Sequence, residues 1–263
     1  MRQVVLGFCI LAVIGSIASA GTLVIARDTE DFAASLPDQL IFATVNGAAF
    51  VSQVGVPTRY QVNGLADGPG YMYAGSAITN VLHTIDYSGG LLTSINAPGI
   101  STGCCNEEML LVGNTLYHAR YSSAIEQIDP ATGVLLNSWS QGDVVGMALA
   151  NGQIWISKWS GRQVGTWDPV TNTFTPVFGT PNNAGGLAFD PFNQIMWVGM
   201  TGGVVVPYTL AGVALNAGFQ PFGAFGDTID GLTFQGEVSG VPEPATWALI
   251  GAGLGLLALR RKR

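Results

Sequence analysis

The chain has 263 residues, of which 36 are glycine and 13 proline; only 10% are charged, and the formal net charge is −7. Between residues 21 and 240, five basic side chains (Arg27, Arg59, Arg120, Lys158, Arg162) stand against sixteen acidic ones, which excludes a nucleic-acid partner because phosphate binding needs a basic face. Glycine, aromatic and β-branched residues spread along the whole length predict many short strands and tight turns rather than helices.

Residues 1–20 read as a secretory signal peptide. Met1-Arg2-Gln3 is a short basic start, Val4 to Ile14 an apolar run, and Ala18-Ser19-Ala20 an A-x-A cleavage pattern. The run is too short to span a bilayer comfortably. Once Cys9 leaves with this segment, only the adjacent Cys104 and Cys105 remain. They have no C-x-x-C spacing, so nothing points to zinc. An oxidising compartment can close such a pair into a strained vicinal disulfide or leave two loop thiols.

The mature part, 21–236, opens with three β-rich stretches, TLVIA (22–26), QLIFATV (39–45) and AAFVSQV (48–54). A repeat of about forty residues follows. HTIDYSGGLLTSI, EQIDPATGVLLNSW and GTWDPVTNTFTPVF place Asp86, Asp129 and Asp168 at spacings of 43 and 39, and VVVPYTLAGVALNAGF keeps the frame with Thr209, 41 residues on. In each, Asp accepts backbone N–H bonds across a hairpin turn, and Gly90, Gly133 or Asn172 takes the left-handed position. Upstream of each turn lies an aromatic strand: YMYAGSA, LYHARYS, IWISKWS, IMWVGMT. Before that comes a short strand of small residues: GLAD from Gly64, MLLV from Met109, GMAL from Gly146, GLAF from Gly186 and GLTF from Gly231. Their frame residues Leu65, Leu110, Met147, Leu187 and Leu232 are spaced 45, 37, 40 and 45.

Four antiparallel strands per repeat predict an all-β chain folded as a β-propeller. The fifth inner strand, 231–234, lacks partners downstream, so the expectation is five blades with the last assembled from both termini, leaving no open edge. A β-sandwich is the alternative, since strands with regular turn signals suit it too. The D-P-x-T-G units resemble the repeats of YVTN-type, NHL-type and streptogramin-lyase-like propellers over residues 64 to 220.

Candidates for chemistry are few. No G-x-S-x-G, H-E-x-x-H, P-loop or dinucleotide fingerprint occurs, so no catalytic residue is assigned. His118 falls in register with Tyr73, Ile156 and Trp197 and reads as a packed histidine; His83 reads as solvated. The residues leading into the inner strands are more suggestive: Asn63, Glu107, Glu108, Asp143, Asn183, Asp227 and Asp230 would converge on one mouth of the channel. Carboxylates and amides there could hold Ca²⁺ or hydrogen-bond a sugar. Otherwise no cofactor is expected.

The chain ends in a linker, 237–244, and an apolar stretch with a basic end, 245–263. The 15 uncharged residues from Ala245 to Leu259 would make a helix of about 22 Å against a hydrocarbon core of about 30 Å. Arg260, Arg261, Lys262 and Arg263 would hold the C-terminus in the cytoplasm. Val241-Pro242-Glu243-Pro244, the apolar stretch and the Arg-rich end together resemble the PEP-CTERM sorting signal of Gram-negative bacteria, with Pro242, Glu243 and Pro244 on the motif positions. The resemblance implies transient residence in the inner membrane, recognition by an exosortase-type membrane protease, cleavage near the motif, and release to the cell surface or an exopolysaccharide matrix. The functional expectation is a surface or matrix propeller that binds a saccharide or another surface protein without catalysis. The alternative is an extracytoplasmic propeller enzyme, a lyase or glycoside hydrolase acting at the channel mouth.

Overall fold

The computed structural model describes residues 20–26, 39–58, 62–75, 79–100, 106–121, 123–223, 229 and 231–237. The signal peptide, Cys104 and Cys105, Asp227, Asp230 and the whole tail from Pro242 to Arg263 lie outside the described residues. Among the described residues there is no helix long and apolar enough to cross a membrane.

Among the described residues, nineteen strands form five sheets. β1 (Ala20–Ala26), β2 (Gln39–Asn46) and β3 (Ala49–Pro57) make the first with the last strand, β19 (Leu232–Phe234). The next blade is β4 (Gly64–Asp67), β5 (Met72–Gly75), β6 (Val81–Ile85) and β7 (Leu91–Asn96). The third is β8 (Asn106–Val112), β9 (Thr115–Arg120), β10 (Ala124–Ile128) and β11 (Leu135–Ser140), and the fourth is β12 (Val144–Ala150), β13 (Gln153–Lys158), β14 (Gln163–Asp168) and β15 (Thr173–Gly179). The fifth is β16 (Ala184–Asp190), β17 (Ile195–Met200) and β18 (Val204–Thr209). Every pairing is antiparallel and each sheet runs in meander order outward from β4, β8, β12, β16 or β19. This is a five-bladed β-propeller, as the repeat predicts. The closing blade takes its inner strand from the C-terminal end and its other three from the N-terminal end, with Leu232 opposite Ile25 and Phe234 opposite Leu23. The predicted outer strand of the fifth blade is reduced to two isolated bridges, Val205 to Phe219 and Tyr208 to Ala214.

Cross-strand pairing aligns the blades residue by residue. Tyr73 lies opposite Ala66, Tyr117 opposite Leu110, Trp155 opposite Ala148 and Trp197 opposite Ala188. These four aromatics are therefore equivalent, and each is buried in a different inter-blade cluster. A fifth cluster, containing Val24, Leu40, Leu65 and Met72, seals the first blade against the second. Three of the four stand beside an alanine on the neighbouring strand of their own blade, which leaves room for the ring.

The same alignment corrects two sequence registers. Met109, not Leu110, is the equivalent of Leu65, Met147 and Leu187, because Met109 pairs with His118 as Met147 pairs with Ile156. His118 accordingly matches Ala74, Ile156 and Val198, not Tyr73 and Trp197. In the turns, Asp86, Asp129 and Asp168 accept the expected backbone N–H bonds, from Ser88 and Gly90, from Ala131, and from Val170. The left-handed residue of the first turn is Gly89, at φ 85°, in place of Gly90; Gly133 and Asn172 sit as expected at φ 72° and 53°.

The five inner strands crowd one axis. A Cβ on Gly146 would lie 2.3 Å from the Gly185 carbonyl oxygen and 2.7 Å from the Leu187 nitrogen of the next inner strand. Both are backbone atoms that have nowhere to go. Gly146→Ala is expected to cost more than Gly113→Ala, where φ is 60° but nothing lies within 4 Å. The Gly113 change should cost about 1 kcal/mol for its left-handed backbone and the Gly146 change about 2 kcal/mol or more. Urea denaturation of the two variants checks the order.

Candidate functional site

Inner strands of a propeller are edge strands, so one row of their N–H groups points at the axis with no strand to receive it. In a buried channel each such donor must find an acceptor. Here two glutamates supply most of them. The inner-strand motif reads Gly-Leu-Ala-Asp at 64–67, Gly-Met-Ala-Leu at 146–149, Gly-Leu-Ala-Phe at 186–189 and Gly-Leu-Thr-Phe at 231–234. In the third blade it reads Glu-Met-Leu-Leu, with Glu108 where the others have glycine.

From that place the Glu108 carboxylate crosses the axis. Its Oε1 accepts from Leu65 N at 3.0 Å and from Met109 N at 3.2 Å, and its Oε2 from Leu232 N at 2.8 Å. The three donors are the same motif position on three blades. Two residues further along, Glu237 repeats the arrangement. It accepts from Leu149 N at 2.8 Å and Phe234 N at 3.4 Å, and from the backbone of Phe189. Those donors are again equivalent, and with them every blade is tied to one of the two carboxylates.

Burial pushes Glu108 well above the usual carboxylate range, against the lowering effect of its three N–H donors. Burial likewise pushes Glu237 up to about 8, with a smaller push from the Asp67 charge. Asp67, also buried, accepts from the Tyr87 hydroxyl and from Gly236 N at 3.1 Å. Ser157 serves the fourth and fifth blades: its Oγ accepts from Gly146 N at 2.7 Å and donates to the Gly185 carbonyl at 2.6 Å.

The predicted mouth residues do not form one funnel among the described residues. Asn63 is buried and its backbone N–H bonds to the Gly75 carbonyl. Glu108 is taken up by the backbone N–H groups of Leu65, Met109 and Leu232. Asp143, at φ 69°, accepts from the Ser160 N–H and hydroxyl. Asn183 Oδ1 accepts from Arg162 Nε at 3.1 Å. Glu107 contributes backbone to β8. No cluster of three or more His, Cys, Asp or Glu side chains suited to a metal ion occurs among the described residues. His118 is fully buried with its Nδ1 3.1 Å from Glu126 Oε2, and His83 Nδ1 lies 2.8 Å from Ser94 Oγ.

Open chemistry lies elsewhere. A groove of about 630 Å³ runs between the third and fourth blades, lined by Tyr117, Ile154, Trp167, Thr171, Thr173 and Gln153 among others. Two of its lining rings belong to a larger aromatic group: Tyr117 stacks on Trp139 at 5.9 Å, and Trp139 meets Trp167 edge-on at 5.2 Å. Asn172 Oδ1 fixes the indole by accepting from Trp167 Nε1 at 3.1 Å. Sequence reasoning missed this groove because its residues come from six strands and two turns; the one visible signal was Trp167 beside the Asp168 turn.

Comparison with known proteins fits this picture. Residues 240–263 match the PEP-CTERM protein-sorting motif, so the chain carries that motif behind the propeller. No curated protein matches the chain. Among solved structures, a chain of the crystal structure of a nidogen/laminin complex superposes with a TM-score of 0.57 at 12% identity, covering 82% of this chain and 98% of that one. Myxococcus xanthus glutaminyl cyclase gives 0.46 at 14% identity over 62% and 81%, and a Bacteroides caccae protein of unknown function 0.44 at 13% over 74% and 72%. The first likeness bears on the fold alone.

The axial acids make stability depend on pH in the opposite sense to an ordinary salt-bridged carboxylate. Folded Glu237 holds its proton up to about 8, whereas an unfolded glutamate releases it near 4.5. Its contribution is therefore complete below about 4.5 and is lost as pH rises through 8, on the order of a few kcal/mol. Thermal melts should show a falling Tm from pH 5 to 8.5, and Glu237→Gln should flatten that slope.

Proposed function

We propose that this chain is an exported propeller that an exosortase-type protease sorts to the cell surface or extracellular matrix, where it binds a saccharide or a surface protein without catalysis. The sorting half rests on the motif at 240–263, with Pro242, Glu243 and Pro244 as its recognition residues and Arg260, Arg261, Lys262 and Arg263 as the charges that retain the C-terminus in the cytoplasm. Residues 1–20 would direct export and 245–263 would span the inner membrane until cleavage.

The observation that carries the binding half is a contrast between axis and groove. A glycoside hydrolase or lyase at the channel needs two opposed acids open to a substrate. Glu108, Glu237 and Asp67 are instead enclosed by backbone N–H donors and a tyrosine hydroxyl, which supports a non-catalytic role. The groove has the opposite character. Aromatic rings with hydroxyls around them suit the apolar faces and edge hydroxyls of a sugar, and its size falls in the range of small-ligand sites.

Two measurements test this. A glycan array probed with the full chain in detergent should give hits, and Tyr117→Phe, which removes one hydroxyl and leaves the ring packing intact, should weaken them about tenfold; an array with no hits sinks the saccharide reading. Mass spectrometry of surface material should find a C-terminus that lacks Arg260 to Arg263, and Pro242→Ala with Pro244→Ala should restore the intact end in cell-associated protein.

A further inference from the structure

On the face of the propeller where the inner strands begin, the turn between β13 and β14 carries Arg162 at φ 50°. Its backbone is tied down on both sides: Arg162 N donates to the Trp159 carbonyl at 3.1 Å, and its own carbonyl accepts from Thr180 N at 2.8 Å. The side chain is fixed as well. Nε donates to Asn183 Oδ1 at 3.1 Å and Nη1 to the Pro181 carbonyl at 3.1 Å. Nη2 has no hydrogen-bond partner among the described residues. Because the guanidinium takes Asn183 Oδ1, the amide is oriented with its Nδ2 donors free.

The guanidinium lines a cleft of about 400 Å³ with Asn182, Asn183, Thr201 and Gly202. Thr201 Oγ1, closed off from solvent in the cleft wall, has no hydrogen-bond partner among the described residues, which costs free energy. No acidic side chain lines the cleft, on a domain where acids outnumber bases three to one. Asp143, on the adjoining loop, is engaged by Ser160. A fixed guanidinium and an amide NH₂ beside one space form a receptor for a planar anion, since arginine matches the two oxygens of a carboxylate.

We propose that this cleft binds the carboxylate of a uronic acid residue, making the propeller a receptor for acidic rather than neutral polysaccharide. The inference rests on the saccharide-binding reading above and adds a second, charged subsite on the face opposite the groove's turns. The amide donor suits the ring hydroxyls beside a uronate carboxylate. Trp159, half-buried in the same turn and edge-on to Tyr121 at 6.5 Å, offers an aromatic surface next to it.

Titration calorimetry of the full chain in detergent with tetragalacturonate, and with its neutral tetragalactose counterpart, tests the assignment. Heat is expected with the acidic oligomer only. Arg162→Gln should weaken binding about tenfold or more, Asn183→Ala by a few fold, and Arg162→Lys should restore part of the loss. Equal binding of the neutral oligomer, unchanged affinity in Arg162→Gln, or binding of an acidic peptide in place of tetragalacturonate overturns the subsite. Array hits that vanish in Tyr117→Phe but persist in Arg162→Gln would leave the groove reading standing while this one falls.

Discussion

The constraint on which this structure turns is the row of unpaired N–H groups that five inner strands aim at a common axis. A propeller solves the outer-edge problem by exposing its outer strands to water, but its inner edges meet in a space too narrow for bulk solvent. Glu108 and Glu237 resolve this by bringing two acceptor oxygens on one side chain to several inner strands at once. Each carboxylate takes N–H groups from equivalent positions on different blades, so a single side chain does for three strands what a ladder does for two. The desolvation that raises both acids is the cost of that arrangement. Removing one carboxylate would strand up to three buried donors at once, which is far worse than losing one ordinary hydrogen bond.

Close approach and axial bonding are linked through the glycines. At Gly146 and Gly231 the neighbouring backbone lies inside the space a Cβ would need, and this closeness brings equivalent N–H groups within reach of one carboxylate. Only in the third blade is the position given to another residue, and there the side chain that replaces hydrogen is the one that staples the ring. The C-terminal end has the same double duty. β19 completes the first blade, and Glu237, three residues past it, completes the axis. Ring closure therefore needs the chain through residue 237, while the sorting motif matches from residue 240. Folding and sorting use adjoining but separate residues, so a cut at the motif leaves every axial contact in place.

The sequence made the blade count, the two-ended closure and the Asp-centred turns legible, because each is a local pattern repeated at a fixed spacing. Leu65, Met147, Leu187 and Leu232 sit where their motif predicts. The third blade misled because Met-Leu-Leu-Val is apolar throughout, so its frame can slide by one residue with no visible penalty. That slip moved Glu108 off the glycine position and into a loop, where it read as a mouth residue. Glu237 was hidden for a different reason: a single acid in a stretch of Gln, Gly, Glu, Val and Ser has no periodic neighbour to mark it. The groove and the Arg162 cleft were out of reach because both draw on residues from separate turns, and only the folded ring brings them together.

The charge that the sequence shows only as a total is divided by the fold. Strand direction puts the Asp86, Asp129 and Asp168 turns, each carboxylate held low by hydrogen bonds from its own turn, on the face where the inner strands end. Arg120, Lys158 and Arg162, at the opposite strand ends, lie on the face where they begin. The chain leaves the ring after Glu237 on the acidic face. The described cations and the Arg162 cleft lie on the opposite face, which on the proposed reading is the one that meets a polyanion. An acidic protein can in this way present a local anion site: the net charge sets long-range repulsion, but a fixed guanidinium with an open edge acts at hydrogen-bond distance, within the range where salt and distant charges are screened.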